Sequence, residues 1–320
     1  MKNKQFYKKL ISHVFYYTGV VFILNKIFRK KQIKFLMYHK VKMKNFEQQM
    51  KYLVNNYEVI NPLLAIERIK SETVSGKEVV ITFDDGFKNT YVNAYPVLKK
   101  LRIPATLFLT TSYIGASKLS WWDSVKFFLD SCTISQLESI NRLNKKVFDS
   151  HNLMQYKRSS EKFINLLKNC DNKTREQIVD SISYTIDTKL PRLDDDYLFM
   201  NWEEVYELRD VFNFGAHTHT HPILTKCSLP EVRNEIIKSK KIIKEKLGIS
   251  SRGFCYPNGN FNKKIASIVK NLGFDYACTA NNGALGAKDD FFAIKRIGIN
   301  VDDQLQDFIL KLSPAWLVIK

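Results

Sequence analysis

The sequence has little glycine and proline, 12 and 8 residues respectively in a chain of 320. A collagen-like or low-complexity chain would contain far more of both, and the absence of a fixed-period repeat excludes a solenoid. Hydrophobic residues make up 45% of the chain and charged residues 26%, which is an ordinary globular composition with enough apolar material for a core. The length suits one large α/β domain with additions as well as it suits two domains.

Cysteines are few, odd in number and far apart, and no Cys-x-x-Cys pair occurs among the five. Neither a disulfide framework nor a cysteine-ligated zinc site is therefore encoded, which favours a reducing compartment. The patterns Gly-x-Ser-x-Gly, Gly-x-x-x-x-Gly-Lys-Ser/Thr and Gly-x-Gly-x-x-Gly after a strand are also missing. Serine hydrolase, P-loop and dinucleotide-binding functions thus have no support in the sequence.

The apolar run near the N-terminus is short. Residues 14–24 form a stretch of 11 residues between basic flanks, whereas a membrane-spanning helix needs about 20. No small-residue cleavage site follows it, so we expect no cleavable signal peptide and a location in the cytoplasm or on the cytoplasmic face of the membrane. Aromatic and basic residues alternate in segment 1–32, which favours either a helix lying on an anionic membrane or an ordinary docking helix.

Acidic residues are outnumbered, with 32 Asp and Glu against 50 Lys and Arg, and the formal net charge is +18. Such an excess indicates either an anionic partner, such as a membrane, a nucleic acid or an acidic polymer, or simply a solvated basic surface. No nucleic-acid-binding module can be recognised, so we do not expect a nucleic-acid partner.

Short apolar runs alternate with helical patterns along most of the chain. This alternation predicts right-handed βαβ units and an α/β fold with a parallel sheet, and about seven strands suffice to close a distorted (β/α) barrel. Residues 119–197 interrupt the rhythm and read as a helical insertion in one βα loop. We therefore predict an N-terminal segment 1–32 and a catalytic-type domain 33–320. Strands are predicted at 33–38, 78–83, 105–110, 212–216, 253–256, 275–279 and 293–299, and helices at about 46–56, 90–101, 202–210, 230–247 and 262–272.

Two carboxylates follow one of these strands directly. Asp84 and Asp85, in the segment Thr-Phe-Asp-Asp-Gly at 82–86, come where the apolar run 78–83 ends. Loops at the carboxyl ends of parallel strands build active sites in α/β folds. Acidic residues before a glycine also form ordinary turns, so this segment alone leaves both interpretations open.

Three of the six histidines fall within five residues, in the segment His-Thr-His-Thr-His-Pro at 217–222. His217 and His221 are four residues apart, a spacing that places two imidazoles on one face of a helical turn, close enough to share a metal. His219 points elsewhere in that geometry. Two imidazoles and a carboxylate, with a second carboxylate left as a base, are the groups used in metal-assisted hydrolysis.

With these two segments in this order, the chain resembles the polysaccharide deacetylase (NodB homology) family, carbohydrate esterase family 4. Thr-Phe-Asp-Asp-Gly is similar to the first motif of the family and His-Thr-His-Thr-His-Pro to the second; the likeness extends over about residues 36–301. The resemblance implies a distorted (β/α) barrel in which Asp85, His217 and His221 hold a divalent metal and Asp84 is the catalytic base. Zinc is the first candidate for the metal, with cobalt, nickel or manganese as alternatives.

The resemblance also implies a substrate groove. Thr218 supports the histidine loop, and the third motif is similar to Cys-Tyr-Pro-Asn-Gly at 255–259, so that Tyr256, Pro257, Asn258 and Gly259 shape one wall. Trp122, at the start of the insertion, can stack on a sugar or pack in a core, because an aromatic ring offers an apolar face to either.

Two departures from the family pattern stand out. Cys255 occupies the place where the third motif usually has an arginine, and the last motif reads Lys-Arg-Ile-Gly-Ile-Asn at 295–300 without the histidine that acts as general acid. The proton donor is therefore unknown. His39, in a segment at 36–41 that resembles the opening strand of one subgroup, either reaches the site or is held by backbone hydrogen bonds, and the second is preferred.

The sequence thus predicts a metal-dependent hydrolase that removes N-acetyl groups from an N-acetylated glycan, whether a polysaccharide, an oligosaccharide or a lipid-linked precursor. The alternative is a catalytically impaired glycan-binding protein on the same fold, suggested by the two departures. Retention of both Asp84 and Asp85 argues against it, since a binder has no need of a carboxylate that binds no metal.

Overall fold

The computed structural model describes residues 14–15, 17–20, 30–116, 118–143, 153–186, 195–313 and 316. The predicted interfacial segment 1–32 lies almost entirely outside the described residues. Among the helices that the described ranges contain, none is both long and apolar enough to cross a bilayer.

Eight strands, all paired in parallel, form the sheet, in the order β7-β6-β5-β4-β3-β1-β8, with β2 paired to β3 off this path. The central strands are mostly apolar and are buried at every position on both faces, as strands covered by helices are. The strands are β1 Lys34–Tyr38, β2 Glu58–Val59, β3 Glu78–Phe83, β4 Ala105–Leu109, β5 Phe212–Ala216, β6 Gly253–Cys255, β7 Tyr276–Cys278 and β8 Ile297–Gly298.

The segment before β8 closes the sheet into a distorted barrel. Ile294 bridges to Cys278 of β7, and three residues later Ile297 pairs with Leu36 of β1. One short stretch of chain therefore joins the two edges of the sheet. The predicted strand 293–299 is reduced to two residues of regular strand because it changes partners midway; the fold class itself is confirmed.

Helices surround the barrel, and their ends follow local sequence signals. For example, Ser228 and Glu231 form a reciprocal capping box at the start of the longest helix described, and Gly248 ends it in a left-handed conformation (φ 71°). The helices outside the insertion are α1 Met43–Asn56, α2 Pro62–Lys70, α3 Tyr95–Leu101, α9 Trp202–Glu207, α10 Leu229–Leu247, α11 Lys263–Asn271 and α12 Leu305–Leu312. The sequence prediction missed β2, α2 and α12.

The predicted helical insertion is present and has its own small core. Val125, Phe128, Phe163 and Leu167 are buried in it together with Ile178. Its helices are α4 Trp121–Ser131, α5 Ile134–Leu143, α6 Leu153–Arg158, α7 Ser160–Asn169 and α8 Asn172–Ile186. Because α4 begins a short distance after β4, the insertion stands over the carboxyl end of the barrel, where the two motif segments also lie.

Candidate active site

The two motif aspartates sit at the end of β3 and point in different directions. Asp84 continues the strand pairing, since its backbone N–H donates to the carbonyl of Tyr38 at 3.0 Å. Asp85 takes a left-handed conformation (φ 74°) that ends the strand. Both side chains are buried, with 2% exposure each. The turn therefore sends Asp84 towards one set of partners and Asp85 towards another.

The histidine segment after β5 is a tight loop and not a helical turn. Thr218 and His221 both have positive φ, 64° and 59°. The Thr218 hydroxyl donates to the carbonyl of His217 and accepts from the His221 N–H at 3.1 Å. The predicted helical geometry was therefore wrong, although the predicted meeting of the two imidazoles is confirmed, and Thr218 braces the loop as the resemblance implied.

Glu235 of α10 anchors the same loop from outside. Its carboxylate accepts from the backbone N–H groups of His219 and Thr220, both at 2.8 Å. The His219 ring faces Thr111 at 3.0 Å, away from the other two imidazoles, as predicted.

Three potential metal ligands converge beside this loop. The Nε2 atoms of His217 and His221 each lie 3.4 Å from Oδ1 of Asp85, and the three ligand atoms all lie within 4.8 Å of one another. Oδ1 of Asp85 is buried and receives no hydrogen bond. A buried carboxylate oxygen left unpaired between two imidazole nitrogens fits a divalent cation with nitrogen and oxygen ligands, and leaves coordination positions open towards the cavity.

The neighbouring backbone fixes the tautomer of one imidazole. His217 Nδ1 donates to the carbonyl oxygen of Cys255 at 2.7 Å, since a carbonyl can only accept. In the neutral ring Nε2 then carries the lone pair that faces Asp85. The ring of Trp122 covers His221, with 4.6 Å between ring centres, and shields that side of the cluster.

Burial and the other members of the cluster shift the pKa values of His221 and Asp85. Burial lowers the pKa of His221 to about 3, and the nearby positive charges of His217 and Arg175 add to this effect. Burial alone would raise the pKa of Asp85, but the imidazoles of His217 and His221 outweigh it and hold that pKa below its ordinary value. Asp85 is therefore ionised in a buried place where one imidazole is neutral.

Asp84 has a different partner, which the sequence analysis missed. Arg296, in the segment that closes the barrel, donates through Nη1 to Oδ1 of Asp84 at 2.8 Å and through Nη2 to Oδ2 at 2.7 Å. Burial would raise the pKa of Asp84, but the guanidinium of Arg296 outweighs it, so the pKa lies below its ordinary value and the carboxylate is ionised. Arg296 is itself 1% exposed.

Cys255 explains how the guanidinium fits. Its sulfur lies 3.0 Å from Nη2 of Arg296 and 3.6 Å from Asp84 Oδ2. The small side chain of Cys255 on β6 thus leaves room for the guanidinium of Arg296, which comes directly before the last strand. Arg296 thus places a guanidinium next to position 255, where the third motif of the family usually has an arginine. The only sequence signal was a charged residue inside an otherwise strand-like segment at 293–299.

His39 reaches the site, contrary to the preferred interpretation. Its Nε2 lies 3.9 Å from Oδ2 of Asp84, and its side chain is 47% exposed at the cavity. Among the described residues no backbone hydrogen bond to the ring is found. The loop after β1 therefore supplies an imidazole next to Asp84, on the strand that neighbours β3.

These groups lie at the floor of a cavity of about 470 Å³. Of the predicted groove residues, Trp122, Tyr256, Asn258 and Gly259 line it, whereas Pro257 and Thr218 are buried behind its wall. Gly259 has a φ of 74°, and a Cβ there would come within 2.5 Å of Ala280, so only glycine fits. The insertion completes the cavity with residues of α4 and α7, among them Lys126, Ile164 and Lys168.

Comparisons with known proteins agree with this geometry. The family profile described as polysaccharide deacetylase matches residues 71–277. Over 289 residues the chain is 22% identical to the poly-beta-1,6-N-acetyl-D-glucosamine N-deacetylase of Staphylococcus aureus, covering 90% of this chain and 77% of that protein.

Two further matches are shorter or more distant. A stretch of 94 residues is 39% identical to the YxkH protein of Bacillus subtilis, but it covers 26% of this chain and only 34% of that protein. The solved structure of the Streptococcus pyogenes deacetylase PplD in complex with acetate superposes with a TM-score of 0.59 at 19% identity, over 88% of this chain and 99% of that one. At that identity the likeness concerns the fold, a distorted (β/α) barrel. The profile match covers more than half of the chain, and the chain therefore belongs to the polysaccharide deacetylase family.

Proposed function

We propose that the protein removes N-acetyl groups from N-acetylglucosamine units of a glycan, in a reaction that depends on a divalent metal. The observation that carries this proposal is the position of Asp85 Oδ1, which is buried, without a hydrogen bond, and 3.4 Å from two imidazole nitrogens at the floor of an open cavity. The similarity to an N-deacetylase of poly-beta-1,6-N-acetyl-D-glucosamine supports the choice of an N-acetylated glycan.

Asp85, His217 and His221 would hold the metal, with zinc as the first candidate and cobalt, nickel or manganese as alternatives. Imidazole suits zinc, and three protein ligands with a free position are typical of catalytic zinc sites. The chemistry that such an ion supplies is Lewis acidity towards an amide carbonyl and towards water.

Asp84 is the group placed to accept a proton from the attacking water. Its carboxylate is buried and ionised. It lies beside the candidate metal ligands Asp85, His217 and His221 but is not one of them. Arg296 holds both of its oxygens, which fixes the plane of the carboxylate in a site where a displacement of 1 Å is costly. A base held in one orientation is worth roughly 10²- to 10⁴-fold in rate.

His39 is the group placed to give a proton to the departing amine. An amine leaves poorly unless it is protonated, so the reaction needs an acid on the cavity side of the base. His39 lines the cavity, and its Nε2 lies 3.9 Å from Asp84, close enough for both groups to reach atoms attached to the same carbon. It takes the place of the histidine missing from 295–300.

The walls of the cavity suit a sugar ring. Trp122 presents an aromatic surface beside His221. Tyr256 is 0% exposed and supports the wall from behind, held by a hydrogen bond from its hydroxyl to the carbonyl of Phe292 and by stacking on Phe261. Rigid aromatic side chains offer apolar area to the flat faces of a pyranose at little cost in conformational entropy.

The catalytically impaired alternative loses the two observations that suggested it. Arg296 supplies the guanidinium missing from position 255, and His39 supplies an imidazole missing from the last motif. Burying an ion pair costs desolvation energy, and a glycan binder makes no use of an oriented carboxylate such as Asp84 that binds no metal.

Release of acetate from N-acetylglucosamine oligomers tests the proposal directly. We expect acetate from the purified protein, loss of release after chelation, and recovery on adding back zinc, cobalt, nickel or manganese. Asp84→Asn serves as the inactive control that retains the metal. Binding of the oligomers without acetate release under all metal conditions would instead establish the glycan-binding alternative.

We also propose that segment 1–32 contacts anionic membranes from the cytoplasmic side. Its basic residues flank an apolar run too short to span a bilayer, and each lysine near such a surface contributes about 1 kcal/mol of attraction. Co-sedimentation with acidic and neutral vesicles tests this for the full chain and for a variant without the segment. Equal recovery on both vesicle types would refute it.

A further inference from the structure

Three lysines surround the cavity on the side of the helical insertion. Lys126 lies on α4, Lys168 on α7, and Lys40 follows β1, and all three line the same cavity as the candidate metal ligands. Lys126 and Lys168 belong to no motif of the family, and Lys40 lies next to His39 in the segment 36–41. Lys126 and Lys168 come from the insertion. The insertion lies within the residues that the family profile matches, but it contains no motif of the family.

The acidic residues of the cavity do not balance these charges. Asp84 is paired with Arg296, and Asp85 faces two imidazoles. The carboxylate that remains is Asp123, which lies 3.1 Å from Lys126 and 3.9 Å from Lys40.

Lys168 has no carboxylate within ion-pair distance in the described ranges. Asp123 is thus shared by Lys40 and Lys126, while Asp196 acts on Lys40 and Glu161 on Lys168 from further away. Among the residues that line the cavity, four lysine and arginine side chains face three carboxylates, so the wall has an excess of positive charge before any metal is counted.

The ammonium groups are near enough to affect one another. Burial lowers the pKa of Lys40, and the charge of Lys126 lowers it further, against the opposing effect of Asp123. Burial likewise lowers the pKa of Lys168, again with a contribution from Lys126 in the same direction. Lys126 therefore interacts with both of the other lysines, and all three line the same cavity.

Lys40 and Asp123 are held in place by their surroundings, whereas Lys126 is 49% exposed and reaches Asp123 from the cavity side. Lys40 has 22% of its side chain exposed, and its ammonium lies 4.2 Å from the ring centre of Phe87 and 5.0 Å from that of Tyr197. Asp123 is 3% exposed and is fixed by a hydrogen bond from Ser120 at 2.7 Å. Keeping several like charges together in a partly buried wall is unfavourable unless a ligand neutralises them.

We propose that the insertion forms an anion subsite beside the metal centre, and that the natural substrate is an N-acetylated sugar bearing a phosphate or a carboxylate group near the acetamide. This inference rests on the proposed deacetylase function and narrows its substrate. A neutral oligomer of N-acetylglucosamine offers hydrogen-bond acceptors to three ammonium groups but no negative charge to neutralise them. A phosphate monoester carries about −1.5 to −2 charges and three strong acceptor oxygens, more than a carboxylate offers to several ammonium groups, so phosphate is the favoured anion.

The test compares three probes of equal length: a neutral N-acetylglucosamine disaccharide, the same disaccharide with a phosphate monoester, and the same disaccharide with a carboxylate. Acetate release gives kcat and KM, and quenching of tryptophan fluorescence, to which Trp122 in the wall contributes, gives the dissociation constant. We expect the charged probes to bind about tenfold or more tightly at low salt, with the advantage shrinking as ionic strength rises. The stronger of the two charged probes identifies the anion.

Variants locate the effect. Lys168→Gln removes the lysine without a carboxylate partner, and we expect about a tenfold weaker binding of the charged probe, the usual worth of one charge-assisted contact, with kcat on the neutral probe unchanged. Lys126→Gln should act alike and Lys126→Arg should restore binding. The matched control is Lys162→Gln, an exposed lysine on the same helix α7 that does not line the cavity.

The outcomes separate this inference from the proposed function. Equal binding of charged and neutral probes, or a preference that persists in Lys126→Gln and Lys168→Gln, would overturn the anion subsite; the second result would mean that the anion binds the metal alone. Acetate release from the neutral probe would still support the deacetylase. Absence of release from every probe would refute the deacetylase, while the fluorescence measurement still decides whether the lysines bind an anion.

Discussion

Arg296 and Asp84 form a buried, two-bonded ion pair between the segment that closes the barrel and the end of β3. The guanidinium nitrogens lie 2.8 and 2.7 Å from the two carboxylate oxygens, and a third hydrogen bond from Nε holds the carbonyl of Thr279 at 2.8 Å. The candidate base is therefore oriented by the same residues that close the fold, which couples catalytic geometry to barrel integrity.

Replacing Arg296 should damage both stability and turnover. Arg296→Met leaves Asp84 buried without a partner, and we expect a loss of about 3–5 kcal/mol in the free energy of unfolding. Arg296→Lys keeps the charge but not the two parallel bonds, so we expect a smaller stability loss and a fall in kcat of about 10²-fold from the displaced base.

Urea denaturation and acetate release measure the two effects of the Arg296 variants. Arg252, whose ion pair with Asp275 is exposed, is the control, and Arg252→Met should cost at most about 1 kcal/mol. An Arg296→Lys protein with unchanged kcat would show that the pair is structural only.

Asp84 and Asp85 should separate in role. Asp84→Asn keeps the size of the side chain and an oxygen acceptor but removes the base, so we expect kcat to fall by roughly 10²- to 10⁴-fold with the metal retained. Asp85→Asn should instead lower the metal content, and activity should partly return with excess metal. The metal content of both variants is measured, and their kcat values are compared on the same substrate. Near-normal turnover in Asp84→Asn would contradict the mechanism.

The metal content should depend on two of the three clustered histidines. His217→Ala and His221→Ala each remove one of three ligands, and we expect elemental analysis after dialysis to show most of the metal lost. His219→Ala is the matched control, because that ring faces Thr111 and lies outside the ligand cluster. Full metal content in both His217→Ala and His221→Ala would disprove the assignment.

The role of His39 can be tested through the leaving group. We expect His39→Ala to lower kcat on an N-acetylated sugar by roughly 10²- to 10⁴-fold, as for other positioned acids. On an activated aryl acetate, the leaving group departs without a proton. The kcat of His39→Ala on that substrate should therefore fall far less. Equal losses on both substrates would mean that His39 acts in some other way, such as holding the sugar.

The stability of the barrel should depend on pH through Glu78, away from the site. Burial would raise its pKa, but hydrogen bonds from the N–H groups of Ser75 and Gly76, both at 2.9 Å, outweigh it and the pKa is lowered. A lowered pKa gives stabilisation that is present above the ordinary pKa of glutamate and is lost as the pH falls through the folded-state value.

We therefore expect Glu78→Gln to lose about 1–3 kcal/mol at pH 7. The difference from the unmodified protein should shrink below about pH 4, where the glutamate of the unfolded chain binds a proton. Urea midpoints at pH 7 and at pH 3.5 measure this, with the exposed Glu245→Gln as a control. A difference that stays constant over this range would contradict it.

Much of the architecture could be predicted from local patterns. The runs at 78–83 and 105–110 are continuous and apolar because their strands are covered on both faces, and the structure places strands there. The helical insertion could be predicted because the alternation of short apolar runs with helical patterns stops over residues 119–197. By contrast, β2 has only two residues and was missed, and the strand predicted at 293–299 was too long because this segment changes partners midway.

The site was predicted in part, and the reason lies in sequence separation. Two short motifs could be recognised because their members are close in sequence. One contains Asp84 and Asp85, and the other contains His217 and His221. Arg296 lies 212 residues from Asp84 along the chain, and no local pattern links them. His39 was visible as a histidine after a strand, but its distance from Asp84 depends on the pairing of β1 with β3.

The sequence by itself determined the types of chemical group available and the strand ends from which they project, because burial and turn formation are local consequences of residue type. Only the tertiary structure decided which groups meet. Closure of the barrel brings Arg296 to Asp84, and the docking of α4 and α7 over the strand ends brings Lys126 and Lys168 to the cavity. Both depend on strand register and helix packing, which are set by contacts between residues far apart in the chain.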